Sequence, residues 1–395
     1  MKTTNLQSDA QAKCGPVVSS QPLKVVGQAS RREKRCSAAV WTGIWTAPAV
    51  LAAFYFTVGV KAAEPSQAGD LARLSEMKIE TRTIPGINLS LVKVKAGSFI
   101  MGHPEGYPGS SSDERPAHKV TITKDYWLGA TAVTVGQFRY FVELTGYETD
   151  AEFRRAGLFT SNSQPQQKGL SWRNPGIPNY TQTDEHPVFG LSWDDAMQFC
   201  AWLTDREGAA GRLPDGYIYR LPTEAQWEFA ARYGTTDDME NPLDYAWYGA
   251  NSGGVPHPVG TKKPNPWGLY DLRGNGWAWV YDWYGRYPDH EEVDPQGPLY
   301  PNAREIIRPF HEKRGSSWNA NDPHNLMTTN RWSTWGIVQA DWLTFRIALT
   351  TVPPLPPGYI PGALSAPLGQ AGGPGAANAR GGAAPSAVPP TKAGR

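Results

Sequence analysis

Three short stretches of this chain repeat apolar residues at helical spacing, and each begins behind a hydroxyl residue. In "TVGQFRYFVELTG", Phe138, Phe141 and Val142 fall on one face, Thr134 stands at the N-cap with Gln137 three residues on, and Gly146 follows. That pattern predicts a helix with a capping box and a glycine stop. In "SWDDAMQFCAWL", Ser192 takes the cap position. Asp194 and Asp195 then lie in the first turn, where the helix dipole favours negative charge, so they read as helix-terminal charges and not as acid/base groups. "TEAQWEFAARYG" repeats the arrangement, with Thr223 as cap, Gln226 as its box partner and Gly234 as the stop. "KVTITKDYWLG", from Lys119, alternates apolar and polar residues and predicts a strand. Elsewhere the pattern predicts loops.

The pattern changes character at both ends. Residues 1–35 are polar and finish in "SRREKR"; Cys36 to Val60 then carry no charge, and "KAAEP" follows. Such a run is long enough for a bilayer, which takes about 20 apolar residues. The Arg/Lys cluster before it predicts a basic cytoplasmic leader over 1–35 and an exported, extracytoplasmic remainder. Residues 36–63 are then either a signal peptide cut near Ala62 or Ala63, or an uncleaved membrane anchor through residues 36–60. Ser30-Arg31-Arg32 resembles a twin-arginine export signal only loosely, since charged residues follow it. A linker over 64–77 leads to a folded unit over 78–351. From Val352 to Arg395 the chain is Pro/Gly/Ala-rich with few large apolar residues, which predicts a disordered tail.

Composition sharpens the fold class. Sixteen Trp, 41 Gly and 35 Pro in 395 residues are too many for a helical bundle or a regular doubly wound sheet. Glycine and proline interrupt regular elements, and the large aromatics must then supply the buried area. The expectation is an irregular, loop-rich α+β domain. A net charge of +1 provides no broad field to attract nucleic acid. The cysteines are Cys14, Cys36 and Cys200, so the folded unit holds only Cys200, which reads as a buried helical thiol. Metal-ligand cysteine spacing is absent.

Eight segments in order resemble the formylglycine-generating enzyme family, also called the sulfatase-modifying factor family. They are "GSFIMGH" at Gly97, "DERPAHKVTI" at Asp113, "VTVGQFRYFVELTGYETDAE" at Val133, "HPVFGLSWDDAMQFCAWL" at His186 and "YRLPTEAQWEFAARYG" at Tyr219. "NSGGVPHPVGTKKPNPWGLYDLRGNGWAWVYDWYG" at Asn251, "RGSSW" at Arg314 and "TFRIAL" at Thr344 complete the set. The resemblance implies an α+β, irregular, loop-rich C-type-lectin-like fold of the formylglycine-generating enzyme type. It also implies oxidation of a substrate cysteine in a surface cleft, by oxygen and copper(I) held on two cysteines that follow the glycine-glycine-serine-aromatic turn.

Counting from Trp318 puts those two positions at Ala320 and Asn325, and neither side chain ligates copper(I), which wants soft thiolates. Copper is therefore not expected. The turn's second glycine is Ser316, which carries a strain of about 1 kcal/mol if positive φ is required there. The resemblance further implies a structural calcium. Its acid is replaced by Ala278, leaving Asp271, the carbonyls of Gly274 and Gly276, and, in a shortened second loop, Asn251. His311, His324 and Asp322 flank the turn and could in principle hold iron(II), but no regular spacing forces them together, so they read as ordinary loop residues. His118, His186 and His257 read as structural hydrogen-bonders, and Trp277, Trp279 and Trp283 as core. "NSGG" lacks the Lys and Ser/Thr of a phosphate loop.

Two functions stand side by side. One is a cysteine-independent maturation factor acting on a peptide or secondary metabolite. Its cleft would be built from Trp318 as a wall, Ser317 as a hydrogen-bond donor, Arg331 to hold a carboxylate, and Asn325. The other is a non-enzymatic binding or scaffold protein for a peptide or small-molecule ligand, since irregular loops over a packed base tolerate change. Authentic formylglycine formation is the third.

Overall fold

The computed structural model of the chain describes residues 79–107, 110–155, 157–161, 163–232, 241–298 and 306–351. The leader, the apolar run at 36–60, the linker to residue 77, Gly234 and the tail lie outside the described residues. Among the described residues no helix is long and apolar enough to cross a membrane.

Fourteen short strands and five helices make up the described body. A five-stranded antiparallel sheet takes β1 (Thr81–Ile84), β2 (Leu89–Val94), β5 (Tyr126–Gly129), β14 (Ala348–Thr351) and β8 (Tyr217–Arg220), in that spatial order. A second sheet sets β3 (Gly97–Met101) antiparallel to β4 (His118–Ile122), with β10 (Glu292–Val293) parallel to β4 on its other side. The third, ordered β12 (Trp332–Thr334), β11 (Ile306–Arg314), β9 (Trp277–Gly285) and β13 (Leu343–Phe345), carries the site. A hairpin of β6 (Leu158–Thr160) and β7 (Ser163–Gln167) stands apart.

The stretch from Lys119 is therefore not one strand. It divides between β4 and β5 in different sheets, because Asp125 turns the chain: its Oδ1 accepts from Ala96 N at 2.9 Å and its Oδ2 from Lys95 Nζ at 3.1 Å. Local alternation carries no information about such a switch of sheet.

Helix α1 (Val135–Thr145) starts and stops where its sequence says. Gln137 N donates to Thr134 Oγ1 at 3.3 Å, Thr134 N to Gln137 Oε1 at 2.9 Å, and Gly146 closes the end at φ 68°. After the single turn α2 (Asp150–Phe153), helix α3 (Trp193–Ala209) begins at Ser192 but continues past Leu203, where its apolar pattern ends. Buried Glu207 extends it, bound by Arg212 Nε and Nη2 at 2.7 Å each. Helix α4 (Glu224–Arg232) opens on the Thr223–Gln226 box and is buried on every side from Glu224 to Ala231; α5 (Pro242–Tyr245) is one turn.

Between α1, α3 and the third sheet lies the larger core, in which Phe138, Phe141, Phe199 and Phe345 meet edge to face and stacked and to which Trp279 belongs. Cys200 packs there as a small apolar residue, 1% exposed, and burial pushes its thiol up. Truncating a ring such as Phe138 costs about 3–5 kcal/mol. A second core, around Trp227, Tyr126 and Val280, wraps the inner face of α4.

Candidate functional site

Strand β11 delivers the chain into the turn at Gly315 and Ser316. Gly315 sits at φ 96°, and a Cβ there would stand 2.6 Å from Leu272 O, so the loop at 272–276 leaves room only for glycine. Gly274 N donates back to Gly315 O at 2.6 Å and ties the two loops together. Ser316 does adopt positive φ, 74°, with its side chain buried, so the anticipated strain of about 1 kcal/mol is present.

Beyond the turn, the predicted cleft residues face inward. Ser317 Oγ bonds Asn319 Oδ1 at 2.5 Å. Trp318, 3% exposed, packs with Phe189 and Ile177, donates from Nε1 to Asp341 O at 3.2 Å and accepts from Ser252 Oγ at 2.7 Å through its carbonyl. It is a base under the loops more than a wall. Arg331, expected to hold a ligand's carboxylate, is instead occupied by a carboxylate of this chain. Its Nε and Nη2 clamp Glu224 at 2.6 and 2.8 Å, while Nη1 donates to Asp113 O and Gly285 O. Ala320 and Asn325 are half-buried at the rim, Asn325 in a 3-10 turn whose N-terminal cap is Asp322.

Arg331 is half of a larger assembly under the turn. Arg314, fully buried, pairs with Glu228 and donates to Thr329 O and Asn330 O at 2.8 and 2.9 Å. Glu228 also accepts from Gly102 N at 2.8 Å and Arg232 Nη1 at 2.9 Å. Glu224 and Glu228 are one helical turn apart on α4, so one face of that helix presents both carboxylates to Arg314 and one of them, Glu224, to Arg331 as well. Two further acids border the pairs and cannot both be ionised beside them. Burial, then Glu224, pushes Asp282 up to about 8, so its carboxyl holds a proton at neutral pH, and burial, again with Glu224, pushes Glu312 up from its ordinary range. Asp282 Oδ2 accepts from Glu224 N at 2.7 Å, and Glu312 Oε1 from Trp332 N at 3.0 Å. Sequence reading missed this network. The available signal was the pair of glutamates four apart inside the otherwise apolar "EAQWEFAAR".

The histidines are engaged separately. His311 is stacked between Trp193 and Trp283, at 4.1 and 3.8 Å between ring centroids, and burial drives it down to about 3. His324 Nε2 lies 3.2 Å from Glu114 Oε1, and Asp322 Oδ1 accepts from His324 N. Among the described residues no three His, Cys, Asp or Glu side chains converge as a metal set. His118 meets Glu292 at 3.2 Å, His186 Nδ1 accepts from Thr183 N at 3.1 Å, and His257 stacks on Trp247 with Nε2 2.8 Å from Ser252 O. All three have the structural partners expected of them. Trp277 and Trp279 are core, whereas Trp283 is half-buried against His311.

The four calcium candidates have divergent partners. Asn251 closes both ends of its carboxamide on its own turn, accepting from Tyr248 N and donating to Ala246 O. Gly274 O accepts from Gly276 N at 2.7 Å. Asp271, half-buried at φ 50°, accepts from Gly260 N at 2.7 Å through Oδ2, and its buried Oδ1 has no hydrogen-bond partner among the described residues. With Asn251 Oδ1 and Gly274 O engaged internally, the Asp271 Oδ1 and Gly276 carbonyl that remain fall short of the six to eight oxygens that calcium takes, so this donor set does not fit it.

A tight glycine turn over a buried ion network, in a loop-rich α+β body, defines the class. The chain belongs to the sulfatase-modifying factor family: the profile of the sulfatase-modifying factor enzyme 1-like domain matches residues 79–351. The formylglycine-generating enzyme of Bos taurus is 32% identical over 275 residues, covering 59% of this chain and 67% of that protein. Among solved structures, PvdO from Pseudomonas aeruginosa superimposes with a TM-score of 0.55 at 26% identity, over 69% of this chain and 99% of that one. Treponema denticola variable protein 1 gives 0.50 at 25%, over the same shares. The expected C-type-lectin-like α+β fold is thereby established.

Proposed function

We propose that this chain is an exported, ligand-binding member of the family that does not carry out thiolate–copper oxidation. The observation that carries the reading is Cys200: it is the only cysteine after Cys36, and its thiol is closed inside the larger core. Copper(I) needs soft ligands, and Ala320 and Asn325, where the resemblance puts them, supply a methyl and a carboxamide. The groups nearest the turn already have internal partners, which makes them a rigid base. The ligand, a peptide or small molecule, then meets the rim residues Ala320, Asn321 and Asn325, where irregular loops accept change at little cost to the core. Incubating the full chain with a cysteine-containing sulfatase peptide, copper and oxygen tests the reading. Unchanged peptide mass is expected, and formylglycine in the product would overturn it. Peptide-array binding lost in Asn325→Trp, with no product formed, is the positive counterpart.

A second reading, a cysteine-independent maturation factor, is favoured by the proton-holding carboxyl of Asp282, since a general acid must keep its proton near neutral pH. Turnover of an array hit, abolished in a folded Asp282→Asn variant, would select it.

Export rests on the basic run ending at Arg35 and the uncharged stretch to Val60. Protease protection of an N-terminal tag with exposure of a C-terminal one, in spheroplasts, is the expected result for an uncleaved anchor. Loss of the N-terminal tag from the exported protein identifies cleavage. Calcium is not part of the proposal: millimolar calcium is expected to move the melting temperature by less than about 1 °C, since a cation without a cage has no preferential affinity for the folded state.

A further inference from the structure

Successive residues of a strand point to opposite faces. Glu312 and Arg314 enter the ion network; Lys313, between them, enters a slot of tryptophans. Its Nζ lies 4.3 Å from the ring centroid of Trp277, 4.5 Å from Trp342 and 5.3 Å from Trp332. Lys313 is 4% exposed, and Nζ has no hydrogen bond or ion pair with any described residue. The slot has a deep wall and an open one: Trp277 is buried, Trp342 is half-buried, and Trp332, on the edge strand β12, is 50% exposed. The one carboxyl whose charge reaches the amine is Glu312, on the other face of the strand.

We propose that Lys313 is a carbonyl-capturing amine, whose Nζ forms a reversible Schiff base with a small aldehyde or ketone entering between Trp332 and Trp342. The Nζ lone pair adds to the carbonyl carbon to give a carbinolamine. Its oxygen then leaves as water, taking one proton from nitrogen and one from solvent, and the protonated imine remains. The reaction needs no oxidant or reductant.

Two features of the slot favour it. Desolvation lowers the amine to about 7, which leaves about half of it neutral at pH 7, against fewer than about one in a thousand for an ordinary lysine near 10.4. The three indole faces then favour the iminium product, a soft cation that depends less on hydration than an ammonium does. The site is on the opposite face from the turn and does not depend on the reading given above.

The test is reductive trapping on the full chain at pH 7, with limiting acetaldehyde and cyanoborohydride, followed by peptide mass mapping. Lys313 is expected to be ethylated at least about tenfold faster than the exposed Lys95, Lys119 or Lys263, as its larger neutral fraction requires. That preference should shrink at pH 9. Lys313→Arg keeps a cation in the slot and should lose the fast adduct while the exposed lysines react unchanged. Labelling of Lys313 no faster than the exposed lysines, or no labelling of it at all, overturns the proposal.

Discussion

The two faces of β11 solve the same problem, a buried cationic side chain, in opposite ways. On one, Arg314 meets carboxylates and backbone carbonyls in a dense polar network; on the other, Lys313 and His311 are packed against indole rings with no carboxylate partner. The outcomes differ in sign. Carboxylate partners keep Arg314 and Arg331 charged, with both groups pushed up from their ordinary range, whereas desolvation without such partners pushes Lys313 and His311 down. The face with counter-charges is a rigid support for the turn, and the face without them holds groups whose charged forms are disfavoured. Exposure alone does not distinguish the two, since all four residues are at least nine-tenths buried.

Removing one partner on the charged face should have the largest effect. Arg314→Met leaves the buried Glu228 charge part-stranded, with Arg232 as its remaining cation, and is expected to cost about 3 kcal/mol in urea unfolding. Adding Glu228→Gln to it should recover much of that loss, because the stranded charge is gone. If the single and double variants are equally unstable, the network is not held by charge compensation. On the aromatic face, Trp277→Ala removes the buried wall of the lysine slot and should cost about 3 kcal/mol. A loss below about 1 kcal/mol would show that the slot collapses around the cavity.

The next contrast is with pH. His311 binds its proton less tightly folded, at about 3, than unfolded, near 6.5, so its contribution is complete above 6.5 and is lost as pH falls toward 3. Between pH 6.5 and pH 5 this amounts to about 2 kcal/mol, and His311→Phe should be correspondingly less sensitive to acid. Equal acid slopes for variant and wild type would remove the neutral histidine from the account. Smallest is the turn itself: Ser316→Gly relieves a positive φ and should add about 1 kcal/mol to stability without altering either face.

Much of the scaffold could be read before any coordinates, and the reason is local. The capping boxes at Thr134, Ser192 and Thr223 join groups three residues apart, so one window of sequence contains both partners. The strain at Ser316 was legible for the same reason. Arg331 marks where such reading stops. It was expected to hold a ligand's carboxylate in a cleft, but the carboxylate it holds is that of Glu224, which lies far along the chain on a helix that reads as a plain amphipathic segment. The calcium candidates were drawn from a family pattern, and the observed partners of Asn251 and Gly274 are set by loop paths that the pattern does not contain.

By itself, the sequence determined where the helices begin, which residues could supply an apolar base, and that the folded unit has a single cysteine. Those properties are fixed by side-chain chemistry and by partners a few bonds away. Only the tertiary structure decided which charges face each other and which face indoles, because a strand reverses its side chains at every residue while its neighbours come from remote segments. Lys313 and Arg314 are adjacent in sequence, and the fold alone gives one of them a carboxylate and the other a ring of tryptophans.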